Sequence, residues 1–204
     1  MTEERIEKNK EEFIKIFTEN IKRDGAEDLL KYLVATDFFI APTSTKYHLA
    51  EDGGLCQHSL NVYKRLLKIV KRELGNKFEE TYNLETLAIV GLLHDMCKIH
   101  LYKKDFKNVK VDGQWVKESI YVADERLHFG HGSKSVFMIQ QFMRMFVEEA
   151  VAIRYHMGGL EYPTANFVEP FVPDVYNQYP LALFIHMADL EATYIDERVK
   201  SNDK

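Results

Sequence analysis

The chain has 204 residues and a formal net charge of −5, with 46% hydrophobic and 29% charged residues. This allows one substantial domain of the soluble globular class and lacks the basic balance of an extended nucleic-acid surface. The cysteines, Cys56 and Cys97, fit neither a disulfide framework nor a zinc-ribbon spacing. With a polar N-terminus and no apolar run of membrane-spanning length, they predict a cytoplasmic protein with no membrane partner.

Ile6, Phe13, Ile14, Phe17 and Ile21 recur at helical spacing, which predicts an amphipathic helix over residues 3–23 ended by Asp24-Gly25. A second helix is predicted over 26–37. The stretch "FFIAPTSTKYHLAEDGGL" reads as a loop. Leu60, Tyr63, Leu67 and Val70 form the stripe of a third helix, from near His58 to Gly75. "NLETLAIVGLLHDMCK" predicts a fourth, apolar on all sides between Leu87 and Leu93 and therefore buried. Residues 101–125 alternate around Asp112-Gly113, the signature of a β-hairpin. A fifth helix is predicted from near Ser133, and a sixth through "VEEAVAIRYHMGG", closed by Gly158-Gly159. The four-proline stretch 160–180 reads as loop, and "LALFIHMADLEATYIDERV" as one last helix. The fold class expected is all-α, a helical bundle with a small hairpin insertion. Residues 1–204 form a single domain in this reading, with the helices of 1–37 packing on the core.

The stretch "GLLHDMCKIH" places a histidine and an aspartate side by side at the end of the buried helix. Successive helical residues point about 100° apart, so the pair converges on one object only if other elements supply the remaining contacts. His58 at the start of the third helix, His94-Asp95, and Asp189 in the last helix are candidate ligands from three elements. Imidazole plus carboxylate suits a divalent ion, Mn, Fe, Co, Ni or Zn, with Mg tolerated. Without thiolate in the set, a closed structural zinc site is disfavoured.

The order H…HD…D resembles the HD-domain metal-dependent phosphohydrolases. "YHLAEDGGLCQHSLNVYKRL" is similar to the first ligand segment of that superfamily, "LLHDMCKI" to its central motif, and "ALFIHMADLEATY" to its closing segment. The likeness spans residues 47–195. It implies an HD-domain bundle in which His58, His94, Asp95 and Asp189 bind one metal. Branches such as the HD-GYP phosphodiesterases add histidines that hold a second ion with the HD aspartate bridging. His131 in "GHGSKS" and His156 in "IRYHMGG" match them in order, so one or two ions per chain are implied. Their other reading is a hydrogen bond to phosphate or to a ligand. "LEYP" follows where HD-GYP proteins have DGxGYP, so that substrate is not carried over. The closer resemblance is to small bacterial and phage HD hydrolases and to the HD part of YhaM-type 3′–5′ exoribonucleases.

Lys98, one turn after His94-Asp95, is a candidate point charge for a phosphate oxygen. Lys134 and Ser135, near a helix N-terminus, are candidate phosphate contacts. Asp95 would orient the nucleophile. The activity implied is hydrolysis of a small phosphorylated substrate, with nucleotides the leading class. The alternatives are a non-catalytic metal-dependent nucleotide sensor and a di-iron HD-superfamily oxygenase. His186 reads as packing or as a hydrogen-bonding support near Asp189, His128 as a substitute for His131, and Cys97 as an inert buried thiol. The hairpin, with Trp115 and Tyr121, is expected to border the pocket and shape substrate choice.

Overall fold

Helix α1, Glu3–Asn20, opens where Thr2 Oγ1 accepts from the Arg5 amide, and Glu3 and Glu4 lie at the positive end of its dipole. Its apolar stripe buries Phe13 and Phe17. Helix α2, Ala26–Ala35, adds Leu29 and Leu33 to the same core. Each such side chain contributes roughly 1.5–3 kcal/mol through burial. The computed structural model describes residues 1–158 and 172–198, and it is mostly helical with one two-stranded antiparallel sheet.

Helix α3 runs Gly54–Leu74, four residues earlier than the stripe suggests, so His58 lies one turn inside it. After the short α4, Phe78–Thr81, Asn83 caps α5, Leu84–Leu93, by accepting from the Thr86 amide at 2.7 Å. Every α5 residue from Thr86 to Leu93 is buried. The predicted fourth helix stops at Leu93 instead of continuing to Lys98; a 3₁₀ turn follows at Met96–Lys98.

The hairpin is present as β1, Tyr102–Val111, and β2, Gln114–Ala123, in register from Tyr102↔Ala123 to Val111↔Gln114. Asp112 (φ 50°) and Gly113 (φ 83°) both take positive φ, the turn a two-residue hairpin connection favours. Helix α6 begins at His131 and runs to Gln140, and α7 spans Val147–Arg154. Part of the stretch read as loop is helical: α8 covers Val172–Gln178. Residues 160–171 of it lie outside the described residues, as does Gly159, expected to help close the sixth helix, and Pro180 opens the next helix. The last helix is not continuous. Helix α9, Pro180–Glu191, passes into a π-helical turn at Ala192–Asp196.

Two glycines set how closely the helices that carry histidines approach. A Cβ on Gly91 would stand 2.8 Å from Tyr63 Cα, so α5 lies directly on α3. A Cβ on Gly132 would stand 2.3 Å from the Arg154 carbonyl oxygen, so α6 lies on the end of α7. The first contact brings His94 toward His58. The second brings His131 toward His156. Behind them, the buried Glu149 carboxylate accepts two bonds from Arg23, at 2.7 and 2.8 Å, and one from Thr86 Oγ1 at 2.8 Å. This ties the N-terminal segment to α5 and α7. Among the described residues, no helix is long and apolar enough to cross a membrane.

Candidate metal centre

His94 still has helical backbone angles, but Asp95 turns to φ −102°, ψ 20° as the helix ends. That turn lets adjacent side chains reach one point. Asp95 Oδ2 lies 3.6 Å from His58 Nε2 and 3.7 Å from His94 Nε2. Its other oxygen, Oδ1, lies 2.6 Å from His131 Nε2 and 3.6 Å from His156 Nε2. Asp189 Oδ1 stands 3.2 Å from His58 Nε2, and the His58 and His94 Nε2 atoms are 3.4 Å apart. The six residues expected as ligands therefore converge, with the two carboxylate oxygens of Asp95 facing two different histidine pairs.

Three of the four imidazoles turn Nδ1 to an acceptor outside the cluster, and the fourth, His131, has Cys97 Sγ alongside its ring, 3.5 Å from Nε2. His58 Nδ1 meets Glu197 Oε1 and Oε2 at 3.0 Å each. His94 Nδ1 meets the Gly91 carbonyl at 3.0 Å, and His156 Nδ1 the Ile153 carbonyl at 2.7 Å. His131 Nδ1 lies 3.3 Å from Cys97 Sγ. An N–H held in this way fixes the tautomer and leaves Nε2 to point inward, the arrangement that metal-ligating histidines use.

This donor set fits a cation. With their Nδ1–H groups held by carbonyls, His94 and His156 present Nε2 lone pairs toward carboxylate oxygens. His156 Nε2 is buried and has no hydrogen-bond partner among the described residues. Lone pairs opposed in a buried site repel unless a proton, a water or a metal ion joins them. Among the described residues, three groups of His, Cys, Asp or Glu have ligand atoms close enough to hold an ion: His58–His94–Asp95, Asp95–Cys97–His131 and His48–His58–Glu197.

The electrostatics are divided in the same way. Burial pushes the His94 imidazole down to about 3, so it is neutral. Burial also acts to lower His58, but the Glu197 and Asp189 carboxylates prevail and raise it to about 10. Against the same desolvation, Cys97 and Asp95 raise His131 to about 10. Burial alone would raise the Asp95 carboxyl, yet Lys98, His94 and His131 hold it well below the usual range.

The cluster forms the floor of a cavity of about 690 Å³ lined by Tyr47, His48, Lys98, Tyr102, Tyr194 and Arg198, among others. That volume is typical of small-molecule sites. Lys98 is buried, lines the cavity and has its Nζ 2.6 Å from Asp95 Oδ2. Lys134 and Ser135, expected as phosphate contacts, are turned elsewhere. Lys134 Nζ donates to Glu125 Oε1 at 2.8 Å, and Ser135 Oγ accepts from the Cys97 amide at 3.0 Å. Neither lines the cavity. Their correction has a physical cause. The 3₁₀ turn leaves the Cys97 N–H without a helical acceptor, and Ser135, on the packed face of α6, supplies one.

Residues beyond the expected set also shape the site. Glu197 follows the π-helical turn, and Arg65 on α3 brackets that turn by binding Glu191 at 3.0 Å and Asp196 at 2.8 Å. Asn61 Nδ2 donates to Glu197 Oε1 at 2.9 Å. Cys97 is buried as expected, but its thiol lies against His131. His186 Nδ1 meets the His156 carbonyl at 2.7 Å and the residue also lines the cavity, so it supports the backbone of a candidate ligand from beside Asp189.

In comparisons with family models, curated proteins and solved structures, nothing matches the chain.

Proposed function

We propose that this chain is an HD-type metal-dependent phosphohydrolase acting on a small phosphate ester, with nucleotides as the leading class. The observation that carries the reading is the set of four Nε2 atoms aimed at the two oxygens of Asp95, with His58, His94 and His156 each held at Nδ1 from behind. The motif order H…HD…D supports it, because these are the residues that converge.

In this reading His58, His94, Asp95 and Asp189 would hold one divalent ion, and His131 and His156, with Asp95, would hold a second. Such ions lower the pKa of bound water toward neutrality and neutralise charge on phosphoryl oxygens. The chain's own groups do the rest. Asp95 orients the attacking water in line with the scissile P–O bond. The Lys98 ammonium, already directed into the cavity floor, stabilises charge on a non-bridging oxygen as the bond to the leaving oxygen breaks. Burial, with the added charge of His58, keeps His48 below the usual imidazole value. It therefore stands at the cavity wall as a neutral hydrogen-bonding group. Tyr47 and Tyr194 at the mouth offer aromatic faces to a base.

The test is a panel of nucleotides, aryl phosphates and phosphodiesters, run with Mn, Fe, Co, Ni, Zn and Mg and read by phosphate or product release. Turnover lost in Asp95→Ala and His94→Ala supports the reading. Metal and nucleotide binding without turnover on any ester would assign the sensor role. A di-iron spectrum with oxygen consumption would assign the oxygenase.

A further inference from the structure

The hairpin has two unlike faces. In antiparallel register, paired residues share a face. One face carries Tyr102, Lys104, Phe106, Asn108 and Lys110 from β1, and Trp115, Lys117, Ser119, Tyr121 and Ala123 from β2. It holds aromatic rings and lysines and no acid. The other face carries Val109, Val111, Val116, Ile120 and Val122, with Asp105 and Glu118 offsetting Lys103 and Lys107. On the aromatic face no acid of the hairpin itself opposes the lysines; near its base Asp52, from outside the hairpin, pairs with Lys104 and accepts from the Tyr121 hydroxyl, which leaves Lys110 and Lys117 toward the tip.

Beyond the half-buried Tyr102 and Tyr121 at its base, that face is open to solvent. Phe106 is 65% exposed and Trp115 72% exposed. Lys103, Lys104 and Lys107 are ion-paired with Asp124, Asp52 and Glu118. Lys110, directly across from Trp115, and Lys117, beside it on the same face, are in no ion pair among the described residues. At the base of the arm, Tyr102 lines the candidate active cavity, with its hydroxyl donating to the Thr43 carbonyl at 3.1 Å. From Tyr102 to Trp115 the face runs eight residues, about 27 Å at strand rise. Aromatic groups interleaved with cations along a track leading to a cavity of small-molecule size match the stacking platforms and electrostatic funnels that take single-stranded nucleic acid. Net charge conceals this feature, because the two strands and their turn carry five lysines against three acids within a chain of net charge −5.

We propose that the aromatic face of the β1–β2 arm docks single-stranded nucleic acid and delivers an end of the strand to the cavity. Delivery rests on the phosphohydrolase reading, whereas docking does not. This departs from the expectation, drawn from net charge, that no extended nucleic-acid surface is present.

The experiment uses the full chain without added metal and short labelled oligo-U and oligo-dT, followed by anisotropy across a salt series. Trp115 is the single tryptophan, so its emission reports on this face alone. Binding that strengthens at low salt and quenches Trp115 is the expected result. Trp115→Ala and Phe106→Ala should each weaken binding about tenfold. Lys110→Glu with Lys117→Glu should weaken it further and lower the salt slope by about 0.7 per lysine. With metal, these arm variants should lose at least tenfold in kcat/KM on oligonucleotides and retain wild-type turnover on a small aryl phosphate. Several results would overturn docking: no binding at low salt, unchanged emission, or arm variants that bind like wild type. A concentration-dependent dimer dissolved by Trp115→Ala, without oligonucleotide binding, would give the face to a second copy instead. Binding without hydrolysis of any ester would leave docking standing and remove the phosphohydrolase reading together with delivery.

Discussion

Glu197 grips His58 from behind: both carboxylate oxygens lie 3.0 Å from Nδ1, on the side of the ring opposite Asp95 and Asp189. Burial works against the Glu197 charge, but His58 holds it below the usual carboxylate range. Glu197→Ala should weaken metal affinity by about 10- to 100-fold, as loss of a carboxylate behind a histidine ligand does elsewhere. Glu197→Gln, which still accepts from Nδ1–H, should recover part of it. Chelator competition measures the affinity. Equal affinity in all three proteins would remove Glu197 from the site.

The helix crossings give a second expectation. A methyl on Gly132 drives α6 away from the Arg154 carbonyl, and His131 opens that helix. Gly132→Ala should therefore lose about one metal equivalent and keep the ion held by His58, His94 and Asp189. Gly91→Ala lifts α5 from Tyr63 in the core, so it should also cost about 1–3 kcal/mol of stability through overpacking. Elemental analysis and thermal melts report the two effects.

What the sequence made legible follows from the range of the forces involved. The Asp112-Gly113 turn and the alternation around it are local, and the hairpin appears where expected. His58, His94, Asp95 and Asp189 were legible because motif order stands in for their meeting in space. Glu197 was not. In "YIDERV" it looks like one more charge on a continuous helix, and only the π-helical turn clamped by Arg65 brings it to His58. The acceptors behind His94 and His156 are backbone carbonyls, which no pattern of side chains announces. Lys134 and Ser135 were misplaced for a related reason. Position at a helix N-terminus describes the backbone field and not the direction of either side chain.

Arg23 and Glu149 support the site from a distance. Glu149 is fully buried and depends on Arg23 for a bidentate partner. Arg23→Met leaves that carboxylate buried and unpaired, and should cost about 3–5 kcal/mol. Thr86→Val removes only one donor and should cost about 1 kcal/mol. Urea titration of both variants tests the ranking.

Lys98 separates binding from chemistry. Its ammonium binds Asp95 but donates no ligand atom. Lys98→Ala should retain metal content and lower kcat on the true substrate by about 100-fold, the scale of losing one preorganised charge contact in a transition state. Unchanged kinetics would reduce Lys98 to a structural partner of Asp95.

Metal uptake should release protons. In metal-free protein, burial acts to lower both His58 and His131. The Glu197 and Asp189 carboxylates raise the first to about 10, and Cys97 and Asp95 raise the second to about 10. Both are charged at neutral pH, whereas His94, lowered to about 3 by burial, is not. A ligand nitrogen must give up its proton, so up to two protons should leave per chain, and affinity should rise with pH. Stability carries the same sign. Because the folded values of His58 and His131 lie above the unfolded one, their contribution is full below about pH 6.5 and is lost as pH rises toward 10. His94 acts at the other end. Its folded value lies below the unfolded one, so it destabilises the fold as pH falls from about 6.5 toward 3. Between pH 7 and 9.5 the metal-free chain should therefore lose stability while the loaded chain holds it, and the gap in Tm between them should widen. Calorimetric titration in buffers of different ionisation enthalpy counts the protons, and paired melts follow the gap. A proton count near zero with a pH-independent gap would mean that His58 and His131 are neutral before the ion arrives.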